Sequence, residues 1–276
     1  MSPSEIHGPI DLRTGSKQLG TNAPGKVGAS RLRIVQDAAG LPIDVEQVLS
    51  ERAFSDRALH IAFQPVCDLK TREIIGYEAL ARFPGWTITT PRQWFKQAME
   101  LGLQQALELL AATTAFEQLS RLEENAFLSV NLSPATAASK AFADLASTVP
   151  SARLVLEITE NAAIDNYQRF TGAIDHLRSL GVRIALDDAG AADVGLQHLV
   201  EIRPDIVKID TTVIHGIADD ELRQAVACAY VSLSKRAGAI SLAEGIETEA
   251  EFAMLSSMEV DAGQGYLLGR PALLVD

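Results

Sequence analysis

Cysteine is scarce in this chain. Cys67 and Cys228 are the only two among 276 residues. They lie far apart and fit no metal-ligand spacing, so neither a thiolate metal site nor a disulfide framework is expected. A reducing cytoplasm is the expected setting. Long apolar runs are also missing. No stretch approaches the about 18 residues needed to span a bilayer. The start, Met1-Ser2-Pro3-Ser4-Glu5-Ile6-His7, lacks the basic-then-apolar order of a secretory signal, and no membrane partner is expected. Positive charge is in deficit, with 24 basic against 36 acidic residues and a formal charge of −12. That excludes a broad electrostatic grip on a nucleic acid polymer. A small anionic ligand stays open, because divalent cations invert the local charge of an acidic site. Finally, the chain has no Gly-x-Ser-x-Gly elbow, no phosphate-binding P-loop and no Gly-x-Gly-x-x-Gly turn.

What the chain does have is a series of short apolar runs, nearly all ending in a polar or charged side chain. Ile74-Ile75-Gly76-Tyr77 leads into Glu78, and Phe127-Leu128-Ser129-Val130 into Asn131. Leu154-Val155-Leu156 leads into Glu157, and Val182 to Leu186 into Asp187 and Asp188. Asp205-Ile206-Val207 leads into Lys208, and Ala239 to Ala243 into Glu244. Such Val- and Ile-rich runs read as buried strands. Between them lie helical patterns. Phe170, Ile174, Leu177 and Leu180 mark one helix face, with Gly181 placed to close it. A longer pattern runs from Gln93 to Glu123 with a break near Gly102, and a weaker one from Pro134 to Ala146. Leu59 to Cys67 and Glu73 to Arg82 are joined by too few residues for a crossover helix, so this pair reads as antiparallel. The expected fold class is α/β, a modified TIM-type (β/α)8 barrel with one antiparallel strand and its site at the C-terminal rim. Residues 1–42 are expected to form a flexible or partly helical extension, and 43–276 the barrel domain. A short helix is expected over Ile43 to Phe54.

The rim then gathers Glu78, Asn131, Glu157, Asp187, Asp188 and Glu244, which offer only oxygen ligands. Oxygen-only sites select hard cations such as Mg²⁺ or Mn²⁺. Taken singly, each acid reads equally well as a solvated rim charge or a helix cap; together they point to bound metal. Adjacent strand residues face opposite sides, so Asp187 and Asp188 can share a centre only if the strand has ended and the chain is turning. Lys208 has three readings: a buried ion pair with Asp210 two residues on, a Schiff-base lysine of a barrel lyase, or a lysine that orients water and steadies phosphoryl charge. Arg82 follows Glu78 by four residues and reads as a phosphate clamp or as a rim salt bridge to it. Gln64 ends the first strand, and Gln264 lies between Gly263 and Gly265. His60, His176, His198 and His215 show no partner pattern.

Eight ordered motifs between about Leu59 and Pro271 carry a family resemblance. They are Gln64-Pro65, Tyr77-Glu78-Ala79-Leu80-Ala81-Arg82 and Ser129-Val130-Asn131-Leu132-Ser133. They continue with Glu157-Ile158-Thr159-Glu160, Leu186-Asp187-Asp188 and Val207-Lys208-Ile209-Asp210. Ala243-Glu244-Gly245-Ile246-Glu247-Thr248 and Gln264-Gly265-Tyr266 complete the pattern. The chain resembles the EAL domain family of bacterial cyclic di-GMP phosphodiesterases. The resemblance implies hydrolysis of cyclic di-GMP to linear pGpG. It implies two Mg²⁺ or Mn²⁺ ions held by Glu78, Asn131, Glu157, Asp187, Asp188 and Glu244. Lys208 and Gln264 match positions that place the catalytic water, with Glu78 and Asp188 counted in the catalytic set. Gln64, Leu80 and Arg82 match substrate contacts, and Glu160 a residue that steadies the loop after Asp187-Asp188. Asp210 and Glu247 match further acidic rim positions. One stretch departs from the pattern. The family continues Asp-Asp-Phe-Gly-Thr-Gly-Tyr-Ser-Ser-Leu, where this chain has Asp187-Asp188-Ala189-Gly190-Ala191-Ala192-Asp193-Val194-Gly195-Leu196. The family loop orders the metal site and contributes to dimer contacts. The alternative function is therefore a weak or inactive cyclic di-GMP-binding module. A homodimer, and a protein regulator acting through the N-terminal segment, are the partners the pattern leaves open.

Overall fold

A computed structural model describes residues 35–36, 42–43, 59–83, 90–159, 164, 166–189 and 195–274. β1 (Val35–Gln36) and β2 (Pro42–Ile43) form a small antiparallel ladder, Val35 opposite Ile43. The rest of the N-terminal stretch, with most of the helix expected over Ile43 to Phe54, lies outside the described residues.

Eight strands close a barrel: β3 (His60–Asp68), β4 (Ile74–Arg82), β5 (Phe127–Asn131), β6 (Leu154–Thr159), β7 (Arg183–Ala189), β8 (Ile206–Ile209), β9 (Ile240–Ala243) and β10 (Ala262–Gly263). β3 pairs antiparallel with both neighbours, β4 and β10, while the other pairings are parallel. The expected single reversed strand is therefore β3.

The helices are α1 (Pro91–Glu100), α2 (Gln104–Phe116), α3 (Pro134–Ala137), α4 (Lys140–Ala146), α5 (Tyr167–Ser179), α6 (Gly195–Ile202), α7 (Thr211–Ile214), α8 (Glu221–Ala237) and α9 (Glu249–Ser257). Side-chain oxygens of Thr90, Ser133, Ser139, Asn166, Asp210, Asp220 and Thr248 cap seven of them, pairing backbone N–H groups that a helix start leaves free. The pattern over Gln93 to Glu123 splits into α1 and α2 at Leu101–Leu103, with Gly102 at φ +73. The pattern over Pro134 to Ala146 splits where Ser139 caps α4. Gly181, at φ +98, ends α5 as expected.

Strand alternation divides the core. Leu128, Leu154, Leu156, Ile158 and Ile184 pack outward with Ile174 and Leu177 of α5. Phe127, Val155, Ala185, Ile206 and Leu242 form a separate cluster with Val66 and Ala262, filling the barrel as branched and bulky side chains do. Gly76 is opposite Phe127 and makes room for its ring, which an added Cβ would meet at 2.5 Å. Each fully buried aliphatic or aromatic side chain contributes about 1.5–3 kcal/mol. One alternation step beyond this apolar layer, the same faces carry Glu157, Asp187 and Lys208. No helix among the described residues is long and apolar enough to cross a membrane. Cys67 and Cys228 are free thiols.

Candidate active site

Lys208 is 2% exposed and sits among acids carried on or just past four strands. Its ammonium lies 2.7 Å from Glu157 on β6, 2.8 Å from Asp187 on β7, 2.8 Å from Glu244 just past β9, and 3.8 Å from Glu78 on β4. Only the Glu157 contact is aligned as a hydrogen bond; the near oxygen of Asp187, Oδ1, is buried without one. Asp210 takes no part in a pair with Lys208. It caps α7, because the strand ends at Ile209 and alternation no longer applies.

The adjacent aspartates reach the site by a different route from the one expected. β7 does not end at Leu186 but runs to Ala189, and its pairing with β8 slips by one residue between Leu186 and Ala189. Asp188 adopts φ +59, the left-handed conformation, at this bulge. The bulge breaks alternation, so both carboxylates face one centre.

A chain of amides holds the opposite wall. Gln64 on β3 is in register with Glu78 on β4. Gln264 Nε2 donates to Gln64 Oε1 at 2.9 Å and to Glu78 Oε2 at 2.6 Å. Asn131 Nδ2 donates to Glu78 Oε1 at 2.8 Å. Gln264 Oε1 is buried without a partner. The rim salt bridge between Arg82 and Glu78 does not form, since Glu78 is taken up by Lys208 and these amides. Arg82 donates to the carbonyl of Ala81 instead.

The electrostatics follow from burial. Burial pushes the Glu157 carboxyl well above the usual carboxylate range, and neighbouring Glu78 and Asp187 add to this against the pull of Lys208. Burial raises Glu244 to about 8 and Asp188 to about 6, in both cases with help from Asp187. Burial also acts to raise Glu78, but Lys208, Gln264 and Asn131 outweigh it and hold that carboxyl low. Lys208 is driven well above its ordinary value, because the four acids overcome its desolvation. One ammonium cannot balance five carboxylates in a low-dielectric pocket. Oxygens of Asp187, Asp188 and Glu244 lie within 4.8 Å of one another. This all-oxygen donor set, in which Asp187 Oδ1 makes no hydrogen bond, fits a hard divalent cation.

Two clefts flank this centre and share Leu80. One, of about 280 Å³, is lined by Gln64, Glu78, Glu244, Glu247, Gln264 and Tyr266 among others. The other, of about 400 Å³, is lined by Arg82, Arg92, Phe95, Asn131 and Thr159 among others. The structure thus brings together every candidate ligand and catalytic residue, and puts Leu80 and Arg82 beside the centre rather than in it. Glu160 and residues 190–194 lie outside the described residues. Sequence reasoning did not single out Thr211, Tyr266, Arg92 or Phe95 as lining residues. Tyr266 was signalled by its place after Gln264-Gly265. Arg92 was signalled by a basic residue next to Pro91 at a helix start, where acids are the rule. His198 is buried against the Tyr167 hydroxyl at 3.4 Å, and His215 lies 3.5 Å from Glu251.

Residues 49–271 match the model of the EAL domain. A probable cyclic di-GMP phosphodiesterase, PdeN of Escherichia coli K12, is 31% identical over 81% of this chain and 45% of its own length. The chain spans less than half the length of the curated relatives it matches. Among solved structures, the PaMucR phosphodiesterase in complex with c-di-GMP is 28% identical, with a TM-score of 0.75 over 84% of this chain and 98% of its own. A manganese and c-di-GMP complex of BlrP1 from Klebsiella pneumoniae is 26% identical, with a TM-score of 0.71 over 80% of this chain and 58% of its own.

Proposed function

The chain belongs to the EAL domain family, and from that membership we propose that it is a metal-dependent phosphodiesterase opening cyclic di-GMP to linear pGpG. The observation that carries this reading is the convergence of Glu78, Glu157, Asp187 and Glu244 on the single buried ammonium of Lys208. Glu78, Asn131, Glu157, Asp187, Asp188 and Glu244 would hold two divalent cations, Mg²⁺ or Mn²⁺. When bound, such cations lower the pKa of a water and stabilise the leaving oxygen of a phosphodiester.

The side chains supply the rest. Lys208, kept protonated by its acidic surroundings, donates toward the attacking water or the developing phosphoryl charge. Schiff-base chemistry requires a neutral amine, so an ammonium held protonated by these acids argues against the lyase reading. Gln264 fixes Glu78 through Nε2 and keeps Oε1 free to accept a hydrogen bond from water. Gln64, Leu80 and Arg82 contact the substrate from the two clefts. Glu160 steadies the loop after Asp188. A homodimer and a regulator acting on the N-terminal segment are the further partners proposed. The free thiols suit a cytoplasmic setting.

A second reading, a sensor that binds without cleaving, is favoured by the altered composition of residues 189–196. A product assay separates the two. Protein supplied with Mg²⁺ or Mn²⁺ is expected to yield pGpG, and chelated protein or an E78A variant is not. Folded protein that binds cyclic di-GMP but forms no product with either metal is the sensor. Failure to bind at all ends both readings.

A further inference from the structure

The about 400 Å³ cleft beside Asn131 carries one charged residue, Arg92, that the proposed chemistry does not use. Two guanidiniums, Arg82 and Arg92, line a pocket whose walls include Leu80 and Phe95. The two arginines are not equivalent. Arg82 is partly committed, donating to the carbonyl of Ala81 at 2.9 Å. Arg92 is exposed, and among the described residues no ion pair engages it. Nor does Arg92 serve its helix. It is the second residue of α1, whose first turn holds no acid, and a cation at that end opposes the helix dipole. Its charge also acts at Asp188, so it stands close to the acidic centre. Asn131 joins the cleft to that centre by its hydrogen bond to Glu78.

A pocket with apolar walls and a free planar fork suits an aromatic base with two acceptors on one edge. Guanine presents O6 and N7 in that way, and arginine meets them bidentately, whereas adenine offers a donor at the first position. An aromatic wall such as Phe95 gives the base a face to stack on. We infer that Arg92 is a specificity-determining residue that reads the O6/N7 edge of a guanine seated in this cleft and selects guanine over adenine dinucleotides. The inference deepens the phosphodiesterase reading and rests on it.

Three proteins test it: wild type, R92A and R92K, with the Michaelis constant for cyclic di-GMP and the inhibition constant of cyclic di-AMP measured on each. If the wild type binds without turnover, dissociation constants replace both. R92A is expected to weaken cyclic di-GMP about tenfold or more and to leave cyclic di-AMP nearly unchanged. R92K is expected to resemble R92A, because lysine keeps the charge and loses the fork. Thermal melts should match the wild type, since the side chain is exposed. Parallel weakening of both nucleotides, or wild-type behaviour of R92K, would reduce Arg92 to a steering charge and overturn the inference. So would an unchanged constant in R92A, with the phosphodiesterase reading left standing. A wild type that neither binds nor cleaves cyclic di-GMP removes both.

Discussion

Lys208 donates to Glu157 across 2.7 Å, and both side chains are at most 3% exposed. Of the ammonium's four acid contacts this one is aligned as a hydrogen bond, while Glu78 is held by Gln264 and Asn131. Removing the ammonium strands at least four acids without their counter-charge. Breaking such a buried pair costs about 3–5 kcal/mol. A K208M variant should therefore melt well below the wild type in chelator, and Mn²⁺ should recover more of the loss than it adds to the wild type. Paired thermal melts check this. Equal melting temperatures in chelator would show that the acids simply take up protons instead.

Metal-free stability should fall as pH rises. Glu244 is raised to about 8 and Asp188 to about 6, from ordinary values of 4.5 and 3.8. Burial is the first cause in each. Both groups hold a proton more tightly folded than unfolded. Their contribution is therefore complete below about pH 4 and is lost as pH climbs through 6 and then 8. Divalent cations must displace these protons, so metal affinity should rise over the same range. Melting temperature against pH in chelator, and calorimetry in buffers of different ionisation enthalpy, test both limbs. A chelated protein that gains stability between pH 6 and 8 would contradict the assignment.

Most of the barrel was legible because most strands carry a short apolar run that leads into a functional group, and alternation aims every second side chain inward. Glu157 and Lys208 follow that rule directly. Asp188 does not, because its placement depends on a bulge against β8, a tertiary slip that local sequence does not encode. The reading of Lys208 as an ion pair with Asp210 fails for the related reason that β8 stops at Ile209, one residue short of Asp210, whose carboxylate turns to cap α7. The relay from Gln64 through Gln264 to Glu78 joins residues 200 and 186 positions apart. Only barrel closure through β10 and β3 brings them together. Arg92 and Phe95 are likewise placed by how α1 packs against α2, a tertiary contact.

Gln264 tests that relay. Its Nε2 faces Gln64 Oε1 and the Glu78 carboxylate at 2.6 Å. Q264E would set a second carboxylate against Glu78, whereas Q264A would only leave acceptors unpaired, at about 1–3 kcal/mol. Turnover should therefore drop in the order wild type, Q264A, Q264E, with the Q264E defect easing as pH falls. Rate against pH for the three proteins checks it. Equal activity of Q264E and Q264A across pH would remove Gln264 as the partner of Glu78.

Asp188 sets function against stability. Its φ of +59 costs a non-glycine residue about 1–2 kcal/mol, and its carboxyl stands among like charges, with Asp187 and Asp210 both raising its pKa. D188G relieves backbone strain and charge together, while D188N relieves the charge alone and keeps a residue type that tolerates the left-handed region. In chelator, the melting temperature should rise from wild type through D188N to D188G. The order of metal affinity should be the reverse of this, because D188N replaces a carboxylate of the cluster of Asp187, Asp188 and Glu244 with a neutral amide oxygen and D188G removes the ligand altogether. Melts read the first order and metal titrations the second. If D188G melts below the wild type without metal, the left-handed aspartate is held by favourable contacts rather than by the demands of the metal site.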